Sequence, residues 1–533
     1  MQQETADVLV IGAGAGGAAL TKRLTDLGAK VVCLEQGGWV KPSDYPSTRP
    51  DWEIQIRRGA FNFSPNVRKR WEDYPVVETG THPPDVLMFN AVGGSTHHWT
   101  GHFPRFHPSD FRVRTLDGVA EDWPISYQEL EPYYDMNDRE MGVAGITGDP
   151  ANPPRTKRPT PPLPLGTLGE TIGRGFDKLG WYWWPSDNAI ISQAYDNRPA
   201  CELHGKCMFG CAIGSKASTD VTYWRKAVRK GAIVKPWSRV REITVDKQGK
   251  ARGAVYYDRQ GQLHEQLGRI VVVCGNGIGT PRLLLNSKSQ VFPNGLANSS
   301  GLVGKNFMLH PFRFIEGVFE APMNAYDGPF GIPAFSQQFY ETDSKRNFLR
   351  GYSFLLERSF GPLHHAWGGF VNKPVPWGAS HHEVMRRRFP HIIRISVLGE
   401  DLPEKNNRVE LDPEVKDSSG IPAPRVVYGY SENSLNMLEH GGAMARQALE
   451  AAGAIEILDS GVIQPAFHLL GTARMGTDPK KSVVNAWHRT HDVKNLYLVD
   501  GSSFATSAAV NPTSTIGALA LRAADGIWKN RRA

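Results

Sequence analysis

The chain has 533 residues, 40% hydrophobic and 22% charged, with a formal net charge of +7; that is long enough for two lobes with sizeable cores and ordinary for a folded globular protein. The basic clusters Arg68-Lys69-Arg70, Arg386-Arg387-Arg388 and Lys529-Asn-Arg-Arg532 are short and scattered, which argues against a nucleic-acid stripe and leaves a docking face for an acidic redox partner open. Five cysteines are too few for a disulfide scaffold, and no apolar run is long enough to predict a membrane-spanning helix. The start, Met1-Gln-Gln-Glu-Thr-Ala, lacks the charged and apolar regions of an export signal. A cytoplasmic location is the expectation, with export on a signal-bearing partner left open.

In chain order, Asp7-Val-Leu-Val-Ile11 reads as a buried parallel strand. Gly12-Ala-Gly-Ala-Gly-Gly17 follows, then Ala18–Leu27 with helical spacing, a stop at Gly28, and the strand Lys30-Val-Val-Cys-Leu34 closed by Glu35. This is a βαβ unit with a dinucleotide signature. Gly12 permits the tight turn, Gly14 lets the backbone approach a pyrophosphate, and Gly17 lets helix and strand pack closely. Helix amides then face the diphosphate, and Glu35, eighteen residues after Gly17, is placed to accept ribose hydroxyls. The motif alone serves NAD or FAD.

Residues 40–90 are irregular and rich in Pro, Trp and Arg, and residues 149–165 read as an extended polyproline-like connector. Strands are predicted at 233–240, 254–257 and 269–274, with a helix starting at Arg282. From about 312 to 455 strands such as His391–Val397 alternate with Pro-Gly-Trp loops, which predicts an antiparallel sheet. Trp367 and Trp377, with His364 and His365 nearby, are candidate substrate contacts there, although ordinary packing explains each as well. The last seventy residues hold His468-Leu-Leu-Gly-Thr-Ala-Arg-Met-Gly476, Val-Asp500-Gly-Ser-Ser, Asn511-Pro-Thr-Ser-Thr and a helix-like run from Ile516 to Asp525. His488 and His491 read as bystanders in a surface turn.

Four segments, in order, carry a resemblance to the glucose–methanol–choline (GMC) family of FAD-dependent alcohol oxidoreductases. They are Phe89-Asn-Ala-Val-Gly-Gly-Ser-Thr-His-His-Trp-Thr100, Gly275-Asn-Gly-Ile-Gly-Thr-Pro-Arg-Leu-Leu-Leu285, Gly301-Leu-Val-Gly-Lys-Asn-Phe-Met-Leu-His-Pro311 and the C-terminal block. Within the family the chain is similar to pyranose oxidases and to sugar and gluconate dehydrogenase flavoprotein subunits. The resemblance implies an α/β fold with a discontinuous Rossmann-type FAD-binding domain (1–311 and 456–533, with irregular insertions about 40–90 and 149–200) and an antiparallel-sheet substrate domain (312–455).

It implies that Gly93, Gly94, Ser95, His98, Trp99 and Thr100 contact the flavin, Val240 the adenine, and Asp500 and Gly501 the diphosphate and ribityl chain. His468 and Asn511 match the family's catalytic pair, with Thr513 beside it. A neutral His accepts the hydroxyl proton and the Asn amide holds the same oxygen, while FAD takes the hydride. His98 matches a position that carries the covalent flavin bond in pyranose oxidases; a His packed at the flavin edge without a bond is the other reading. The implied reaction is oxidation of an alcohol group on a sugar, polyol or glycoside, with an aromatic alcohol or a flavin-fold lyase reaction as alternatives. The electron acceptor is oxygen, a quinone or a partner redox protein.

Cys201, Cys207 and Cys211, spaced C-x5-C-x3-C, resemble the cysteine segment of membrane-linked sugar dehydrogenase flavosubunits, which implies a [3Fe–4S] cluster. Ala212 stands where a Pro often follows the last cluster cysteine. Structural thiols, or a zinc site completed by His204, are the other readings.

Overall fold

The computed structural model describes residues 5–67 and 70–531. The N-terminal residues 1–4, and Arg68, Lys69 and Arg532 of the basic clusters, lie outside them. The predicted βαβ unit is present as strand Ala6–Ile11, helix Ala15–Asp26 and strand Val31–Leu34. Apolar β-formers leave these strands buried on both faces, as parallel strands covered by helices must be. Val10 pairs with Cys33 on one side and with Val272 on the other, both in parallel.

The long strand Leu263–Val273 has three partner strands along its length. Its first half closes an antiparallel meander with Ala251–Tyr257 and Arg239–Val245. Its second half lies between Ala6–Ile11 and the late strand Leu496–Leu498, which pairs with it in parallel. The chain thus returns to the nucleotide sheet after nearly its whole length. The last helix, Thr513–Lys529, packs beside helix Ala15–Asp26 and is buried along most of its length.

A second, six-stranded sheet runs in the order Glu456–Ile463, Phe312–Val318, Ile392–Gly399, Tyr352–Glu357, Ala334–Phe339, Trp184–Pro185, antiparallel throughout. It extends beyond 455, to Ile463, and borrows a short strand from residues 184–185. Strand Ile392–Gly399 is buried at all eight positions, although its sequence alternates. Ile393, Ile395 and Val397 pack with helices Glu432–Ala452 and Gly166–Lys178, while Arg394 on the opposite face reaches an ion pair. Alternation here separates two buried faces of different polarity, not core from water.

One boundary differs from the sequence reading. The helix expected from Arg282 begins at Asn276 and spans Asn276–Asn286. Its Gly-rich first turn is poor helix former by itself, but Asp500 accepts the Asn276 N–H and the Thr280 hydroxyl and fixes it. The connector of residues 149–165 is irregular and is pinned by Arg158, which donates to Asp138 (2.6 Å) and Asp187 (3.1 Å). Among the described residues no helix is long and apolar enough to cross a membrane.

Candidate active site

A cavity of about 900 Å³ runs between the two sheets, near the upper end of the size range of cofactor and small-molecule sites. One end is the glycine loop. Gly12 has φ +103°, a conformation L side chains rarely adopt, and a Cβ on Gly17 would lie 2.0 Å from the Gly12 carbonyl oxygen. Helix and strand therefore meet only because both residues are glycine. Gly14 faces open space on the cavity wall.

Glu35 accepts the amides of Ala13 and Gly37, each at 2.8 Å, and so ties the glycine turn to the strand end. Burial pushes its carboxyl up to about 7, against those amides. Asp500 accepts Thr280 Oγ1 (2.6 Å) and the amides of Asn276 (3.1 Å) and Ser502 (2.8 Å), pinning three segments under the same cavity.

The middle of the cavity is lined by Gly94, Ser95, His98, Trp99 and Thr100. His98 Nδ1–H donates to the Met208 carbonyl at 3.0 Å, which leaves Nε2 as a bare acceptor with no protein partner. Burial, followed by the Lys216 ammonium, holds His98 neutral, well below the usual histidine range. Trp99 Nε1 is likewise buried and unpartnered. Lys216 is buried and donates to the carbonyls of His97 (2.7 Å), Trp99 (3.3 Å) and Cys207 (2.6 Å). It clamps the backbone on both sides of His98 to the cysteine turn.

That turn holds Cys201, Cys207 and Cys211. Among the described residues no three His, Cys, Asp or Glu side chains are arranged to hold a metal ion. Cys201, Cys207 and Cys211 each accept a separate amide, from Leu203, Phe330 and Lys216, at 3.4 Å. Burial pushes the Cys207 thiol up to about 12. His204 is exposed and turned to Glu202. Each thiol sits as a hydrogen-bond acceptor within the turn, as the structural-thiol reading expects.

At the far end, a chain of hydrogen bonds crosses the cavity wall. His310 Nε2–H donates to the Ala508 carbonyl at 2.8 Å, so its Nδ1 is an acceptor. That Nδ1 lies 2.9 Å from His468 Nδ1, so His468 carries its proton there and presents a bare Nε2. Asn511 Nδ2 donates to His468 Nε2 at 3.2 Å, and Asn511 Oδ1 accepts from His102 Nδ1 at 2.7 Å. His102 Nε2 accepts the Ser186 hydroxyl at 2.6 Å. The tautomers and the amide orientation follow from this network, in which each donor meets an acceptor. Burial holds all three histidines neutral: His102 and His310 are lowered to about 4, and His468 falls well below its ordinary value.

Thus Gly12, Gly14, Glu35, Gly94, Ser95, His98, Trp99, Thr100, Val240, Asp500, Gly501, His468, Asn511 and Thr513 line one cavity. Gly17 and Gly93 lie behind its wall, and the three cysteines do not line it. Of the substrate-lobe candidates, His364 and Trp367 line it, whereas Trp377 is 83% exposed elsewhere and His365 does not reach it. His488 is not a surface residue; it is fully buried and bonded to the Leu498 carbonyl. Sequence reading missed His102, Ser186 and the role of His310. His310 stood inside a segment noted for its resemblance, so a search for histidines in those segments would have found it.

Family models described as GMC oxidoreductase match residues 180–312 and 403–520. The 2-methyl-1,2-propanediol dehydrogenase of Mycolicibacterium austroafricanum is 47% identical over 98% of this chain and 95% of its own length. The fructose dehydrogenase large subunit of Gluconobacter japonicus is 33% identical over 99% of both chains. In fold, the crystal structure of pyridoxine 4-oxidase from Mesorbium loti superposes with a TM-score of 0.68 at 17% identity, covering 98% of this chain and 99% of that one.

Proposed function

The chain belongs to the GMC oxidoreductase family and is an alcohol-oxidising oxidoreductase, and from that premise we propose that His468 and Asn511 carry the reaction on an alcohol beside FAD held in the cavity. The observation that carries this is the bare Nε2 of His468, 3.2 Å from the Asn511 amide, on the wall of a cavity that starts at the glycine loop.

The residues fit the cofactor. Gly14 leaves room where a diphosphate approaches, and His98 Nε2 and Trp99 Nε1 are buried polar atoms that lack a protein partner on the cavity wall. Glu35 would take the ribose, Val240 the adenine, Asp500 and Gly501 the diphosphate side, and Gly94 to Thr100 with Thr513 the flavin. Bound there, FAD supplies the hydride acceptor. In this reading residues 1–311 and 456–533 form a Rossmann-type FAD-binding domain. Residues 312–455 form the substrate domain, which gains the strand Glu456–Ile463 at its edge.

The protein's part is proton handling. A substrate hydroxyl enters between His468 and Asn511, gives its proton to His468 Nε2 and accepts a hydrogen bond from Asn511 Nδ2. His102, held by Ser186, fixes the Asn511 amide with its nitrogen toward the substrate. The positive charge on His468 is shared with His310 through the Nδ1–Nδ1 contact, and the Ala508 carbonyl steadies it. Buried neutral histidines make this a base that is unprotonated at neutral pH.

Anaerobic addition of alcohols to the purified protein tests the reading: flavin absorbance must bleach. A lyase on the same fold would turn over substrate without bleaching. Acid precipitation reports the cofactor link, and FAD released into the supernatant is the expected result; colour kept in the pellet would mean a covalent bond at His98. The reoxidant, whether oxygen, a quinone or a redox protein, is read by supplying each in turn.

A further inference from the structure

One buried carboxylate grips both segments that carry the hydrogen bond from His310 to Ala508. Asp401 follows the strand Ile392–Gly399 and is 1% exposed. Its Oδ2 accepts the Leu309 amide (3.1 Å) and the Tyr428 hydroxyl (2.8 Å), and its Oδ1 accepts the Ser434 hydroxyl (3.2 Å). All three donors are neutral. Burial raises the carboxyl to about 7, against these donors. An acid buried in this way is costly unless its hydrogen bonds are made, and one of them holds the residue next to His310.

The main chain of Asp401 holds the other segment. Its N–H donates to Ser507 Oγ at 3.0 Å, and its carbonyl accepts the Ser507 hydroxyl at 2.8 Å. The Ala508 carbonyl is a longer second acceptor of that hydroxyl, at 3.3 Å. Ala508 itself has φ +56°, in the left-handed region that favours glycine. A non-glycine residue persists there only where its surroundings hold it. Asp401 holds Ser507 on one side, and the Ser353 hydroxyl donates to the Ala509 carbonyl at 2.7 Å on the other. The strained turn aims the Ala508 carbonyl at His310 Nε2, 2.8 Å away.

We propose that Asp401 is a positioning residue for the proton chain: it holds Leu309 and Ser507 so that the Ala508 carbonyl meets His310 Nε2 and His310 Nδ1 meets His468. The proposal rests on the reading of His468 as the base. Asp401 only accepts and donates hydrogen bonds, and no bond is made or broken on it. Without its grip the Ala508 turn relaxes and His310 is no longer fixed with its proton on Nε2. His468 then loses the acceptor for its Nδ1 proton, and with it the tautomer that presents a bare Nε2 to the alcohol. Asparagine keeps the grip. Its amide oxygen accepts from Leu309 and Tyr428, and its NH2 donates to Ser434 Oγ, whose own proton turns to Ser431 Oγ, 3.1 Å away.

The test is a double-mutant cycle between Asp401→Ala and His310→Ala on FAD-loaded enzyme. It is read by anaerobic stopped-flow flavin reduction with 1,2-propanediol, with FAD content and thermal unfolding recorded for each variant. Asp401→Ala should slow the limiting reduction rate by ~5–50-fold, with substrate Kd within about twofold of wild type. In the His310→Ala background the same change should cost less than about twofold, because the group it positions is gone. Asp401→Asn should return the rate to within about threefold of wild type. Ser507→Ala, which keeps the carboxylate bonds, carries the cycle if Asp401→Ala does not fold, with the same loss and the same non-additivity. Nitrogen NMR of enzyme labelled with ¹⁵N-histidine, assigned with His310→Ala and His468→Ala, reads the tautomers without substrate. Both should be single in wild type and mixed in Asp401→Ala. Losses that multiply in the double variant, or unchanged tautomers in Asp401→Ala, overturn the proposal and leave the proton chain standing. If His310→Ala reduces its flavin at the wild-type rate, the proton chain falls and this proposal with it.

Discussion

Replacing His310 by alanine tests the proton chain at a residue that does not itself meet substrate. His310 accepts the His468 Nδ1 proton at 2.9 Å and donates to the Ala508 carbonyl at 2.8 Å, and it is 1% exposed. Alanine leaves a buried N–H on His468 without its acceptor, while the Ala508 carbonyl keeps the Ser507 hydroxyl at 3.3 Å. A buried N–H without a partner costs ~1–3 kcal/mol in a dry site. If the loss falls on the charged His468 that forms as the hydroxyl proton arrives, flavin reduction slows by ~5–200-fold, since about 1.4 kcal/mol is a factor of ten. The assay is anaerobic stopped-flow reduction with saturating substrate, alongside FAD content and substrate Kd, which should not move. His310→Asn, whose amide oxygen can stand in for Nδ1, should recover most of the rate. Burial keeps His468 and His310 well below the ordinary histidine value. The base is therefore already neutral at neutral pH, and the wild-type reductive rate should be flat above about pH 6.5 and fall only on the acid side. A His310→Ala enzyme that reduces its flavin at the wild-type rate would refute the chain. A wild-type rate that rises through pH 7–8 would show that the base is not a buried neutral histidine.

His468→Ala should lower flavin reduction by ~10²–10⁴-fold with FAD retained, and Asn511→Ala should cost less, ~1–3 kcal/mol, because it orients the oxygen but takes no proton; single-turnover kinetics separate the two. Glu35→Ala removes both the proposed ribose contact and the acceptor for the amides of Ala13 and Gly37, so the protein should purify with little FAD, read from its visible absorbance. Lys216→Met strands the carbonyls of His97, Trp99 and Cys207 and should cost ~1–3 kcal/mol or more in urea unfolding. Cys201→Ser should leave flavin content and turnover near wild type, because that thiol only accepts one loop amide.

Much of the site was legible because its signals are local. Gly12, Gly14, Gly17 and Glu35 occupy one βαβ unit, where backbone conformation and chain spacing are set within thirty residues. His468 and Asn511 stand in short Gly- and Pro-rich turns whose residue types are unusual enough to be noticed one segment at a time. The parallel strands showed themselves as uninterrupted apolar runs, and the C-terminal helix by its spacing. The element boundaries were weaker where a distant side chain decides them, as Asp500 does for the turn at Asn276.

What only the tertiary structure decided is who stands next to whom. His102 is 409 residues from Asn511 in sequence, and His310 is 158 from His468, yet each is in hydrogen-bond contact with its partner. The pattern around His102 carries no mark of that neighbour, and the tautomer of His468 is set by a carbonyl, Ala508, reached through a second histidine. The cysteine spacing was equally mute: C-x5-C-x3-C fits a cluster or a knot, and only the fold shows that each thiol meets the amide of a different residue. Local sequence fixes dihedrals and periodicity, because these depend on near neighbours. Proton placement and metal ligation depend on atoms within about 3 Å, and those neighbours come from chain segments that only folding brings together.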